Sequence, residues 1–287
     1  TFTSSHWLLA WMGLEINTLA ILPLMSQHHH PRAVEASIKY FLAQAAAAAT
    51  ILFASTINAW STGEWNIYCL THPIATTLIT MALALKVGLA PMHFWMPPVM
   101  QGLDLPTGLI MATWQKLAPL ALIIQMAPGA HPQLLTALGL TSVVVGGWGG
   151  LNQTQLRKIL AYSSIAHLGW MIITVQLKPQ LTILALTLYV IMTSATFLTF
   201  KTMSTTKINT LATSWPKAPI VTTTATLALL SLGGLPPLTG FMPKWLILQE
   251  LSTQGLPLTA TIMALSALLS LYFYLRLCYA MALTTAP

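Results

Sequence analysis

Nine apolar stretches of membrane-crossing length take up almost all of this 287-residue chain. They run over roughly 5–25, 36–58, 73–98, 106–127, 131–150, 157–176, 180–200, 218–250 and 257–281. A helix rises ~1.5 Å per residue, so about 20 apolar residues cross the hydrocarbon of a bilayer. In that solvent every backbone polar group must be paired inside the chain, and apolar runs of this length achieve it as helices. Charged residues make up only 6% of the chain against 55% hydrophobic, too few to cover the surface of a soluble protein. The expected fold is all-α and polytopic. It has about nine transmembrane helices in a single domain over residues 1–287, joined by short connections that pack neighbouring helices antiparallel.

Charge in the connections sets an orientation. The odd-numbered connections and their helix ends hold Arg32, Lys39, Arg157, Lys158, Lys201, Lys207 and Lys217, with Arg276 toward the same side. The even-numbered ones hold Lys178, alongside Glu64. Positive residues collect on the inner face, which puts odd connections inside and Thr1 outside. The formal charge of +7 is scattered rather than striped, and nucleic acid is not an expected partner. Cys69 and Cys278 lack the spacing of a disulfide framework, an iron–sulfur site or a zinc site. The run His28-His29-His30 reads as a polar loop ahead of a metal site. The chain begins at Thr1 rather than Met and reads as part of a longer one.

Two spans depart from regular helix. In 73–98, Lys86 falls about 13 residues in, near mid-membrane depth, and Gly88 and Pro91 follow at once. A lysine at that depth costs ~2.5–3.5 kcal/mol on insertion scales, so a chain that carries one usually uses it. The span 218–250 is ~50 Å long as a straight helix, well beyond the ~30 Å hydrocarbon thickness. Its middle, Gly233-Gly234-Leu235-Pro236-Pro237-Leu238-Thr239-Gly240, breaks it, and Lys244 follows. Two interrupted spans an odd number apart cross in opposite directions, as in inverted-topology repeats that place the working site at the broken helices.

Four ionisable residues sit deep in these spans: Glu15, Lys86, Lys116 and Lys244. Burial disfavours the charged form of each, and pairing restores it. A lysine poised between a carboxylate and an open neighbour therefore gains or loses a proton as that carboxylate moves or is neutralised. The bland alternatives are static ion pairs and snorkelling lysines. Lys39, near a span end, reads as such an anchor. His167, mid-span beside Ser163 and Ser164, is a candidate proton relay. His93, just past the first break, is equally a relay or a structural histidine. No dinucleotide fingerprint, phosphate loop, haem motif or cluster motif is present, so no cofactor is expected on this chain.

The stretches Gly13-Leu14-Glu15-Ile16-Asn17, Lys86-Val87-Gly88-Leu89-Ala90-Pro91-Met92-His93-Phe94-Trp95, Thr113-Trp114-Gln115-Lys116-Leu117-Ala118-Pro119, Ser163-Ser164-Ile165-Ala166-His167 and Gly233–Phe241 with Lys244-Trp245 resemble the antiporter-like subunits of NADH:ubiquinone oxidoreductase (respiratory complex I), in their vertebrate mitochondrial form. The resemblance covers nearly the whole chain, although family members usually carry one further helix at each end. It implies a multi-pass subunit of the mitochondrial inner membrane, so that the inner face is the matrix. Its neighbours would be other complex I subunits, especially other antiporter-like ones, and inner-membrane phospholipids. It also implies that Glu15 pairs with Lys86, that Lys116 is central to a proton relay, that His167 lies in its hydrated path, and that Lys244 lies toward the other half-channel. NADH, FMN, iron–sulfur clusters and ubiquinone are then expected in other subunits, whose chemistry drives the protons here. The competing readings are a stand-alone cation/proton antiporter of the same fold and a structural spacer whose buried charges are merely paired.

Overall fold

The structure, a computed structural model, describes residues 1–27 and 30–282. His28 and His29 of the histidine run lie outside the described residues. Among those described, no group of three or more His, Cys, Asp or Glu side chains is placed to hold a metal ion.

The elements are helices: α1 (Trp7–Met25), α2 (Pro31–Thr62), α3 (Pro73–Val87), α4 (Met96–Gly102), α5 (Leu105–Ala112), α6 (Trp114–Met126), α7 (Pro132–Gly150), α8 (Leu156–Leu177), α9 (Pro179–Thr202), α10 (Ile208–Ala212), α11 (Pro219–Gly233), α12 (Phe241–Thr253) and α13 (Pro257–Ala282). A 3-10 turn, Met92–Trp95, leads into α4. Six of the helices open on a proline: Pro31, Pro73, Pro132, Pro179, Pro219 and Pro257. There the ring pre-sets the helical φ, and the missing N–H is one that the first turn leaves unpaired anyway.

Seven helical segments among the described residues are long and apolar enough to cross a membrane. The span expected at 131–150 forms α7, whose last turns carry Gly146, Gly147, Gly149 and Gly150. Those glycines dilute its apolarity, and they let α8 approach: a Cβ on Gly146 would lie 2.6 Å from the backbone nitrogen of Ala166. The span expected at 218–250 is divided into the short apolar helix α11 and the helix α12. The span at 73–98 is divided into α3, the turn and α4.

The chain divides into two compact units, Thr1–Gly139 and Leu140–Pro287. In the first, α2 packs on α1, α3 and α4, and α3 packs on α6. In the second, α11 packs on α9 and α13, and α8 packs on α9, α12 and α13. The apolar stretch of α8 is 89% buried, the most enclosed of the seven.

Each unit keeps the alternation read from loop charge. In the first, Trp7 N–H bonds Trp65 O and Ile67 N–H bonds Ser5 O, joining the chain start to the second connection. Arg32, Glu35 and Lys39 meet Gln101 and Gly102, which joins the first and third. In the second unit, Leu156 N–H bonds Thr206 O and Ile208 N–H bonds Thr154 O, joining the fifth and seventh. Arg276 donates to Leu151 O at 2.7 Å on that side. Lys39 pairs with Glu35 on the exposed surface.

Candidate functional site

In the first unit the site is built on the end of α3. Gly88 adopts a left-handed φ of 89°, and both Gly88 N–H and Leu89 N–H turn back to Ala84 O at 2.9 Å. Lys86 lies in the helix's last turn. The carbonyls that a helix end leaves open are taken by side chains from elsewhere. Gln44 Nε2 donates to Lys86 O at 3.2 Å, and Trp95 Nε1 donates to Leu85 O at 2.9 Å. Lys86, only 4% exposed, therefore has no backbone duty at its own helix end, and its Nζ makes no hydrogen bond.

Its neighbour is Lys116, 2% exposed, on α6. The two lysines line one chamber with Asn17, Thr18, Tyr40, Gln44 and Gln115. Its free volume is about 10 Å³, the threshold for a single water molecule. Glu15 on α1 acts electrostatically on both Lys86 and Tyr40. The buried Oε2 of Glu15 makes no hydrogen bond. The structure thus brings Lys86 and Lys116 into one chamber, while Glu15 lies outside its lining and makes no hydrogen bond to the Lys86 ammonium. His93 sits buried in the 3-10 turn, its ring 4.5 Å from that of Phe94, and is not part of the chamber lining.

A third interruption was not expected. Helix α5 ends at Ala112 and α6 restarts at Trp114, two residues before Lys116. Pro119, inside α6, removes a further helical bond from the same segment, because it supplies no N–H to Gln115 O. The Thr113 hydroxyl, donating to Leu109 O at 2.8 Å, loosens the same turn. The sequence reading also missed Tyr40, Gln44 and Trp95. Gln44, a lone amide in an alanine run, was the visible signal.

In the second unit the break after α11 repeats the backbone of the first. Gly234 has φ 80°, and Gly234 N–H and Leu235 N–H turn back to Leu230 O at 3.1 and 3.3 Å. Both breaks then pass through a cis X–Pro bond, Ala90–Pro91 and Pro236–Pro237. Here the open carbonyls are taken by Lys244 itself: its Nζ donates to Gly233 O at 2.8 Å and to Leu232 O at 3.4 Å. A cation at a helix C-terminus also meets the negative end of the helix dipole.

His167 stands elsewhere in this unit, on α8, with Nδ1 2.7 Å from Ser163 O. A carbonyl only accepts, so Nδ1 is the donor. Its ring lies 5.5 Å from that of Tyr189. Ser163, Ser164, Tyr189 and Tyr274 are buried in the same unit and add hydroxyls to its interior. A buried carboxylate also escaped the sequence reading. Glu250, buried at the end of α12, pairs with Lys178 at 2.5 Å and accepts from Gln254 at 3.0 Å.

Residues 4–270 match the family described as NADH:quinone oxidoreductase/Mrp antiporter, TM. The chain belongs to this family. A relative in Carassius auratus, named NADH-ubiquinone oxidoreductase chain 2, is 75% identical over all 287 residues and is itself 82% covered. Among solved structures, a chain of respiratory complex I from Thermus thermophilus superposes with a TM-score of 0.90 at 32% identity, over 98% of this chain and 66% of that one. A chain of the Mrp complex from Dietzia sp. DQ12-45-1b superposes at 0.86 with 19% identity, over 99% of this chain and 58% of that one, which shows a shared fold alone.

Proposed function

We propose that Glu15, Lys86, Lys116, His167 and Lys244 carry protons in a membrane-arm subunit of NADH:ubiquinone oxidoreductase. Family membership over residues 4–270 and full-length identity to relatives named as chain 2 of that enzyme support the subunit reading. They favour it over a stand-alone antiporter, which the fold by itself would equally allow. On this reading the chain is a multi-pass protein of the mitochondrial inner membrane. It has no redox centre of its own and works beside other antiporter-like subunits and the bilayer's phospholipids. NADH, FMN, iron–sulfur clusters and ubiquinone belong to other subunits, whose reaction supplies the driving force.

The observation that carries the relay is the chamber. Two buried lysines share it, each beside a helix interruption, with a carboxylate acting on one of them. With Glu15 ionised, a proton on Lys86 is stabilised. When Glu15 is neutralised or displaced, that buried ammonium is left without compensation and releases its proton into the chamber. Lys116 is the next titratable group there. His167 exchanges protons on α8, and Lys244 holds one against the carbonyls of α11. His93 is a positioning residue of the first break on this reading, packed in the turn rather than in the path.

The test is Lys116→Ala in the assembled complex. Native electrophoresis with an NADH-dehydrogenase activity stain first establishes that the complex forms. Proton translocation per electron is then measured in reconstituted vesicles. A reduced ratio, or coupled turnover that falls with it, is expected. Unchanged pumping in an assembled variant overturns the relay.

A further inference from the structure

The chamber of Lys86 and Lys116 adjoins a second, larger hollow. An apolar groove of about 380 Å³ runs between α1 and α5–α6, lined mainly by Ala20, Ile21, Leu24, Leu109, Ile110 and Trp114. Asn17 and Gln115 belong to the linings of both hollows. They lie 98 residues apart in sequence and bond each other reciprocally. Asn17 Nδ2 donates to Gln115 Oε1 at 2.6 Å, and Gln115 Nε2 donates to Asn17 Oδ1 at 3.3 Å.

We propose that this amide pair is the seal between the proton chamber and the apolar groove. Resting on the relay reading, it assigns Asn17 and Gln115 as positioning residues rather than proton carriers. An amide offers donors and an acceptor but does not titrate near neutral pH, so the ring they form passes no proton by gaining or losing one. Each amide donates one N–H to the other's oxygen, so the pair stands at a polar–apolar boundary with both oxygens and both nitrogens engaged. On the chamber side, Gln115 Oε1 also accepts a long hydrogen bond from Tyr40 Oη at 3.5 Å. On the groove side, the lining is nearly all hydrocarbon. The position suits the task. Asn17 is two residues from Glu15 on α1, and Gln115 is next to Lys116 on α6. The pair therefore ties the carboxylate's helix to the lysine's helix where the two hollows meet.

A polar chamber that opened into a lipid-facing groove would let protons escape sideways. The seal predicts a leak, which loss of a relay group does not. In vesicles carrying the whole complex at rest, Asn17→Ala should raise passive proton conductance several-fold and lower the proton gradient built per NADH oxidised. The double variant Asn17→Leu/Gln115→Leu, which replaces the amide ring by hydrocarbon, should restore the resting membrane to within about twofold of the parent complex. So should the exchanged pair Asn17→Gln/Gln115→Asn. If the single variant fails to assemble, the two double variants carry the test, and a leak in both overturns the seal. A tight resting membrane in assembled Asn17→Ala also overturns it. Lys116→Ala, read in parallel, separates the two failures. Full pumping in that variant overturns the relay. A pumping defect there beside a tight Asn17→Ala membrane overturns the seal alone.

Discussion

Replacing Lys244 tests two roles that its geometry combines. Its ammonium closes the end of α11 through Gly233 O at 2.8 Å and Leu232 O at 3.4 Å, and it is proposed to hold a proton there. In Lys244→Met the chain keeps a side chain of similar length and loses the donor. A charge-assisted hydrogen bond contributes ~1.5–3 kcal/mol, and the interaction of a cation with the helix dipole adds ~0.3–1 kcal/mol. The turn after α11 should therefore open more easily by about 2–4 kcal/mol, roughly 30- to 1000-fold in its opening equilibrium. Amide hydrogen exchange reads this directly, because Gly234 N–H and Leu235 N–H are the protons bonded across that turn. Lys244→Arg keeps the charge and the donors, and Arg does not release its proton in a protein. Exchange protection should return toward the parent value in that variant, while proton translocation stays defective. Where proton transfer limits turnover, the deficit in both variants should be of the order 10²-fold or more. An Arg variant that pumps normally would refute the relay role and leave Lys244 a fixed cap. A Met variant with unchanged exchange would refute the capping argument.

Three further outcomes follow from the same contacts. Gln44 is buried and donates to Lys86 O, so Gln44→Leu strands that carbonyl at a cost of ~1–3 kcal/mol, measured as faster exchange at Gly88 and Leu89. The Lys178–Glu250 pair is lopsided, with side-chain exposures of 57% and 8%. Lys178→Met leaves a buried carboxylate behind and should shorten the thermal-inactivation half-life of the complex more than Glu250→Gln, which leaves only an ammonium already in contact with solvent. The Lys39–Glu35 pair is exposed on both sides, so Glu35→Gln should leave that half-life unchanged.

The breaks were legible because their causes are local. Gly88 and Gly234 supply the left-handed turn, a proline follows each, and no tertiary contact is needed to foresee that a helix stops there. The interruption at Thr113 was equally local but easy to pass over. The irregular turn falls at a threonine, without the glycine–proline pair that marks the other two breaks, and Pro119 lies well inside the helix that follows. The chamber was not legible in the same way. It is assembled from α1 to α6 and the 3-10 turn by side chains as far apart in sequence as Asn17 and Gln115. No periodicity links them, and single amides in apolar helices look like isolated exceptions until they meet. Glu250 was hidden for a different reason. A carboxylate at the end of a span reads as part of a connection, and only its pairing with Lys178 and its burial set it apart.

The two breaks share a backbone and differ in how their open carbonyls are filled, and that difference separates the lysines. At the end of α3 the carbonyls of Leu85 and Lys86 are occupied by Trp95 and Gln44, neither of which titrates. The Lys86 ammonium is left in the chamber, and Glu15 is the carboxylate that acts on it. At the end of α11 the carbonyls of Leu232 and Gly233 are occupied by the Lys244 ammonium itself. A proton on Lys244 is thus held by backbone dipoles, which do not change with protonation elsewhere. A proton on Lys86 is held by a group that can be neutralised. In the proposed relay, Lys86 is consequently the member that responds to a neighbouring charge. Glu15→Gln should impair the proton exchange of Lys86 while leaving amide protection at Gly234 and Leu235 as it was. The same sequence device, a lysine beside a glycine–proline break, thereby gives one site that switches and one that is fixed, according to which side chain reaches the helix end first.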